Sequence, residues 1–242
     1  MNDLNCWQTK FEPCYYSERL LVKIALLNQK LPLTKQVNII EIKKAIYYAK
    51  KYHGLQIRQS GEPYYSHPIE VAYKIADYCF KENILVTSIL HDTLEDTDLT
   101  KDMLKDLFDC NIAEQVESLT RIKPDRKVTA GELVELLCKE EKEDLLLIKY
   151  FDRLHNMETI KAKSSDKILK TVEETLKKFI SLSIYLEASL PELLKANEEL
   201  LNLCCKQLLT PQSYSSFYRL MEISGDNFQL PFPIFQSEQY QN

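Results

Sequence analysis

Apolar residues recur at helical spacing along most of this chain. Ile42, Ala45, Ile46 and Ala49 stand three and four positions apart, as one buried face of a helix requires, and Gly54 ends the run. The same pattern predicts a helix near Ser17–Gln29. It predicts another that has Pro68 in its first turn, directly after His67, and runs to about Cys79. Asn83–Leu94 is an especially apolar stretch that carries His91-Asp92 at its end. Thr100 caps a helix over Lys101–Phe108, and a capping box at Thr129 and Glu132 opens one that runs to about Cys138. Leu145–Ile148 leads into Asp152, and two long helical patterns come next, over 165–185 and 190–208. The charged run 139–144 reads as the solvated start of a helix.

These elements make an all-α fold. Four glycines, at 54, 61, 131 and 225, leave little room for the tight turns of an all-β chain. The pattern divides into an N-terminal extension (1–36), one helical domain (37–205) and a C-terminal tail (206–242). The tail carries an apolar segment, 230–235, expected to fold back onto the helices or to dock on another chain.

Composition narrows the setting. At 242 residues, with 45% hydrophobic and 28% charged residues, the chain has the make-up of a globular protein with a real core. A net charge of −5 argues against nucleic acid as a partner. Seven cysteines, an odd number without paired spacing, imply reduced thiols and a cytoplasmic location. The N-terminus lacks the pattern of a secretory signal, and no apolar run approaches the roughly 18 residues that span a bilayer.

The chemistry is concentrated around the histidines. All four lie in short motifs: His53 and His67 at the two ends of HGLQIRQSGEPYYSHP, His91 in LHDTLEDT and His155 in DRLHNM. His91 and Glu95 are four apart, as are Asp92 and Asp96, and Asp152 and Asn156; such pairs share a helix face. One helix end therefore presents His91 and Asp92, a second helix brings Asp152, and a third begins with His67. Two imidazoles and two carboxylates without cysteine suit Mn²⁺ or another octahedral divalent ion better than a structural zinc. Glu95 and Asp96, just beyond, are placed to orient or deprotonate a water. Arg58 offers a guanidinium that fits a phosphate. His53 and His155 are expected to be structural, His155 bonding the backbone or packing.

Together, HGLQIRQSGEPYYSHP, ILHDTLEDTDLT, ESLTRI and DRLHNM resemble the hydrolase half of the RelA/SpoT family, a compact multi-helix HD-domain phosphohydrolase bundle. The resemblance runs from about Ile42 to about Cys205. It implies Mn²⁺-dependent removal of the 3′-pyrophosphate of the guanine nucleotide (p)ppGpp, giving GDP or GTP and pyrophosphate. Carried over by position, His67, His91, Asp92 and Asp152 hold the metal, and Glu95 and Asp96 activate and place the water. Arg58 lies against the pyrophosphate with Ser60 in the same loop, and Asn156 and Thr159 line the nucleoside pocket. The stretch after Cys205 is too short for the family's synthetase domain, so no alarmone synthesis is expected.

The chain departs from the family at four places. Gln59 and Glu158 stand where basic residues are usual, His53-Gly-Leu-Gln replaces His-x-Gly-Gln, and Tyr150-Phe151 precedes Asp152 where Leu-Ala is usual. Charge-assisted contacts are worth roughly 1.5–3 kcal/mol each, so the charge changes are expected to weaken polyphosphate binding. Bulky Phe151 is expected to reshape the pocket. Two other readings stay open: an HD phosphohydrolase of another phosphorylated nucleotide, such as NADPH, or a non-catalytic nucleotide-binding regulator.

Overall fold

The computed structural model describes residues 7–208 except Pro124. Its helices are α1 Trp7–Lys10, α2 Tyr15–Asn28, α3 Ile39–His53, α4 Ser66–Ile75, α5 Glu82–Leu90, α6 Thr93–Asp96, α7 Lys101–Leu107, α8 Cys110–Leu119, α9 Ala130–Lys139, α10 Glu143–Glu158, α11 Ser165–Glu174, α12 Ile180–Ser189 and α13 Leu194–Leu208. Among the described residues there is no strand, only two isolated bridges, Ile57 with Pro63 and Ile122 with Lys127. The all-α expectation holds. Contacts along the chain group into two compact units, residues 1–155 and 156–242.

In the first unit, α5 is the central element. Every residue from Ile84 to Leu90 is buried, so this helix is covered on all sides. α3, α4 and α8 pack against it, and α2 packs against α3 and α4. Each fully buried Ile or Leu on α5 contributes about 1.5–3 kcal/mol by leaving water. A rigid core helix therefore ends at Leu90 and delivers His91 and Asp92 at its tip.

The flanking helices form for local reasons. The Asn38 side chain caps α3 by accepting from the Ile40 amide at 3.0 Å. Ile42, Ala45, Ile46, Tyr48 and Ala49 form its buried face, and Gly54, at φ +53°, closes it by donating its N–H to the Lys50 carbonyl. Thr100 caps α7. Thr129 and Glu132 cap α9 reciprocally, with Glu132 Oε2 2.7 Å from the Thr129 amide.

Two expectations are corrected. The 139–144 run is only in part a helix start: Lys139 ends α9, residues 140–142 turn, with Glu141 at φ +55°, and Glu143 and Asp144 open α10. The sequence pattern over Lys101–Phe108 also stops short of α8, whose Ile112, Ala113, Val116 and Leu119 are buried.

The second unit holds the end of α10, then α11, α12 and α13. The pattern over 165–185 is α11 and α12 joined by a π-turn at Thr175–Phe179. α13 packs against both α11 and α12. Val172, Phe179, Leu182, Leu186 and Leu200 are buried there, and the Asn197 amide donates to the Ser183 carbonyl at 3.3 Å. The apolar segment at 230–235 lies outside the described residues.

Candidate metal centre

Between α3 and α4 the chain folds into a short hairpin. Arg58 N–H donates to the Glu62 carbonyl at 2.9 Å, Tyr64 N–H to the Gln56 carbonyl at 2.9 Å, and Gly61 N–H to the Arg58 carbonyl at 2.9 Å. Gly61 sits at φ +89°, a conformation that costs a side-chain-bearing residue energy, so the glycine is required by the turn. The hairpin holds Arg58 half-buried and leaves Gln59 and Ser60 exposed at its tip. It feeds into α4, whose first turn carries His67.

Three elements then converge. His67 comes from the start of α4, His91 and Asp92 from the turn between α5 and α6, and Asp152 from α10. One donor atom each of His67, His91 and Asp152 lie within 4.8 Å of one another. His67 Nε2 is 3.1 Å from Asp152 Oδ1 and 3.7 Å from Asp92 Oδ2. His91 Nε2 is 3.1 Å from Asp92 Oδ1 and 4.0 Å from Asp152 Oδ1. Both imidazoles are buried.

The donor chemistry fits a divalent cation. His91 Nδ1–H donates to the Ser88 carbonyl at 2.7 Å, which leaves the lone pair on Nε2. That Nε2 is buried and, although close to Asp92, has no hydrogen-bond partner. A buried lone pair facing two carboxylates is costly unless it meets a cation. On Asp152, burial pushes the carboxyl pKa up, but the Lys149 ammonium and His67 outweigh it and hold the group well below the usual range. Lys149 Nζ donates to Asp152 Oδ2 at 2.6 Å, leaving Oδ1 toward the cluster. The cluster is compatible with a divalent ion.

His155 differs from expectation. Its Nδ1 lies 2.7 Å from His67 Nδ1 and 3.2 Å from Arg58 Nη1, so it bonds side chains at the cluster. Burial, then the charges of His67 and Arg58, push its pKa down to about 2, so it is neutral. His53 is tied locally: its Nδ1 is 2.9 Å from Gln56 Oε1 and its ring stacks on Tyr64 at 4.8 Å.

The two acids beyond Asp92 sit in different surroundings. Burial would raise the Glu95 pKa, but its bonds to Arg121 and Lys127 outweigh that and lower it. Arg121 Nη2 donates to Oε1 at 2.6 Å, the Arg121 amide to Oε2 at 3.1 Å, and Lys127 Nζ lies 2.9 Å from Oε1. Asp96 goes the other way. Burial raises its pKa, the Tyr64 hydroxyl opposes this by donating at 2.6 Å, and the charges of Asp92 and Glu95 add to the rise. Sequence reasoning places Arg121 only within the ESLTRI motif and misses its hold on Glu95.

Phe151, expected to reshape the pocket, packs among aromatic rings. It is buried, with its ring 5.0 Å from Tyr78 and edge-on to Tyr150 at 5.1 Å. Asn156, Glu158 and Thr159 belong to the second unit, where the Thr159 hydroxyl is 3.5 Å from the Asn156 carbonyl.

The chain is similar to known proteins. The HD domain pattern matches residues 45–184. A "GTP pyrophosphokinase rsh" of Brucella ovis is 40% identical over 146 residues, covering 58% of this chain and 20% of that protein. A "Guanosine-3′,5′-bis(diphosphate) 3′-pyrophosphohydrolase" of Aquifex aeolicus is 37% identical over 146 residues, covering 59% of this chain and 21% of that protein. A "Probable GTP diphosphokinase RSH3, chloroplastic" of Arabidopsis thaliana is 32% identical over 209 residues, covering 81% of this chain and 28% of that protein. The chain thus spans roughly a fifth to a quarter of these relatives. A solved structure described as "A metazoan ortholog of SpoT hydrolyzes ppGpp and plays a role in starvation responses" matches with a TM-score of 0.57 at 20% identity, over 70% of this chain and 97% of that one. At that identity the likeness speaks for the fold.

Proposed function

Since this chain belongs to the HD domain family, we propose that it is a metal-dependent pyrophosphohydrolase that removes the 3′-pyrophosphate of (p)ppGpp, giving GDP or GTP and pyrophosphate. The observation that carries the proposal is the buried His91 Nε2, without a hydrogen-bond partner and 3.1 Å from Asp92 Oδ1, set among His67, Asp92 and Asp152. These four residues would hold the ion, and we assign Mn²⁺ on the mixed nitrogen and oxygen donors. When bound, such an ion neutralises phosphoryl charge and makes water more acidic.

The remaining steps belong to the chain's own side chains. Arg58 binds the pyrophosphate through its planar guanidinium, and Ser60 donates its hydroxyl from the same hairpin. Asp96, with its raised pKa, takes the proton of the attacking water. Glu95 stays anionic under Arg121 and Lys127 and orients that water. Environments that push two carboxylates apart are how acid and base roles divide. Asn156 and Thr159 line the nucleoside pocket. The described cysteines are free thiols, in keeping with a cytoplasmic setting. No helix among the described residues is long and apolar enough to cross a membrane.

A second reading, hydrolysis of another phosphorylated nucleotide such as NADPH, is favoured by Gln59, an uncharged side chain exposed beside Arg58. The test is incubation of purified protein with ppGpp and Mn²⁺, resolving GDP and pyrophosphate by anion exchange, with Asp92→Asn alongside. Product from the wild type alone supports the hydrolase. Product from both proteins refutes the metal assignment. Silence on ppGpp with turnover of another nucleotide supports the second reading.

A further inference from the structure

A histidine that ligates a metal needs its second nitrogen held by a partner that fixes the proton. For His91 the Ser88 carbonyl does this, at 2.7 Å. For His67 the facing group is another imidazole, with His155 Nδ1 2.7 Å from His67 Nδ1. Two imidazole nitrogens at that distance must share one proton, and the sequence does not say whose it is.

Arg58 decides. Its Nη1 lies 3.2 Å from the same His155 Nδ1. A guanidinium carries only donors, so Arg58 donates and His155 Nδ1 is bare. A bare nitrogen accepts from His67, which places the His67 proton on Nδ1. His67 Nε2, 3.1 Å from Asp152 Oδ1 and 3.7 Å from Asp92, is then the nitrogen turned to the carboxylates; it ligates when a cation displaces the proton that it otherwise donates to Asp152. With His67 Nδ1 bare instead, the facing nitrogens would either set two lone pairs against each other or point a His155 N–H at a guanidinium.

We propose that His155 is a positioning residue for the metal ligand His67, and that Arg58 fixes the proton of His155 so that His67 donates through Nδ1 and keeps Nε2 turned to the ion. This rests on the metal reading above. It also gives Arg58 a role apart from its contact with phosphate.

Two measurements test it. The chain has four histidines, so an imidazole ¹⁵N spectrum of the metal-free protein can be assigned by single substitutions. The expected result is His67 protonated at Nδ1 and His155 at Nε2, with Arg58→Ala mixing the two forms. A wild-type His67 whose Nδ1 carries no proton overturns the proposal. The second measurement is Mn²⁺ affinity by calorimetry. Loss of a group that orients a ligating histidine weakens metal binding about 10–100-fold, and that is expected for His155→Ala. His155→Asn, whose side-chain oxygen reaches the place of Nδ1 and accepts as it does, is expected to recover most of the loss. Equal affinity for the wild type and a folded His155→Ala, or an Asn variant as weak as Ala, overturns it. A wild type that takes up no Mn²⁺ instead refutes the metal reading, and the spectrum then decides the tautomer by itself.

Discussion

Arg121 grips Glu95 through side chain and main chain together, its guanidinium 2.6 Å from Oε1 and its amide 3.1 Å from Oε2. The Glu95 side chain is only 8% exposed while Arg121 is 39% exposed, so the carboxylate depends on the pair more than the guanidinium does. Arg121→Ala leaves a mostly buried acid with Lys127 and an amide for partners. The expected cost is about 1–2 kcal/mol, read as a lower urea midpoint at pH 7. The Glu95 pKa is depressed in the fold, so this stabilisation is present above its ordinary value of 4.5 and is lost as pH falls through the folded value. The midpoints of the two proteins are therefore expected to converge in acid. A gap that persists or widens toward low pH would contradict the assignment.

Gln59 sits exposed at the hairpin tip beside Arg58. Gln59→Lys adds a cation where a polyphosphate is proposed to lie. One charged contact of about 1.4 kcal/mol is a tenfold change. The KM for ppGpp is expected to fall about tenfold with kcat little changed, since the added contact forms in ground and transition states alike. An unchanged KM would place the phosphates away from the tip.

Gly61 has open space where a Cβ would stand, but its φ is +89°. Gly61→Ala is therefore strained by its backbone and not by a clash, at a cost of about 1–2 kcal/mol. The hairpin is expected to relax and to move Arg58, raising KM for ppGpp while the far-ultraviolet circular dichroism stays helical. Wild-type KM would show that the turn does not set Arg58.

Thiol labelling separates the cysteines. Cys110 and Cys205 are exposed, whereas burial pushes the thiols of Cys79 and Cys138 up to about 11. Iodoacetamide at pH 8 is expected to label Cys110 and Cys205 first, as read by peptide mass spectrometry. Early labelling of Cys79 would mean that the region around α4 and α5 opens readily.

Much of the fold is legible in the sequence because its signals are local. Gly54, Thr100, Thr129 and the stripe on α3 each mark a boundary or a face by chemistry within one turn. α8 carries an equally local signal, an Asp109 side chain accepting from the Ile112 amide at 2.7 Å ahead of Ile112, Ala113, Val116 and Leu119. It follows so closely on α7 that the pattern of the first helix hides the start of the second. The site residues stand out as motifs, but the partners of those residues do not. The angle of His155 on its own helix says nothing of the imidazole that α4 brings to it from 88 positions away. Arg121 meets Glu95 across 26 positions, and Phe151 turns to Tyr78, both by tertiary packing that no spacing rule encodes.

α6 is a single turn, and its brevity matters. The amides of Glu95 and Asp96 both bond the Asp92 carbonyl, at 3.2 and 2.9 Å, so the interval from Asp92 to the two acids is ruled by main-chain geometry. One residue inserted between positions 92 and 95 would swing both acids about 100° around the axis. The same insertion at the tip of the hairpin would leave both acids in place and displace Ser60 and Arg58 instead. Length variation on the two rims of the centre should therefore disturb different partners of the reaction, the water on one and the phosphate on the other, whatever side chains are chosen to fill it.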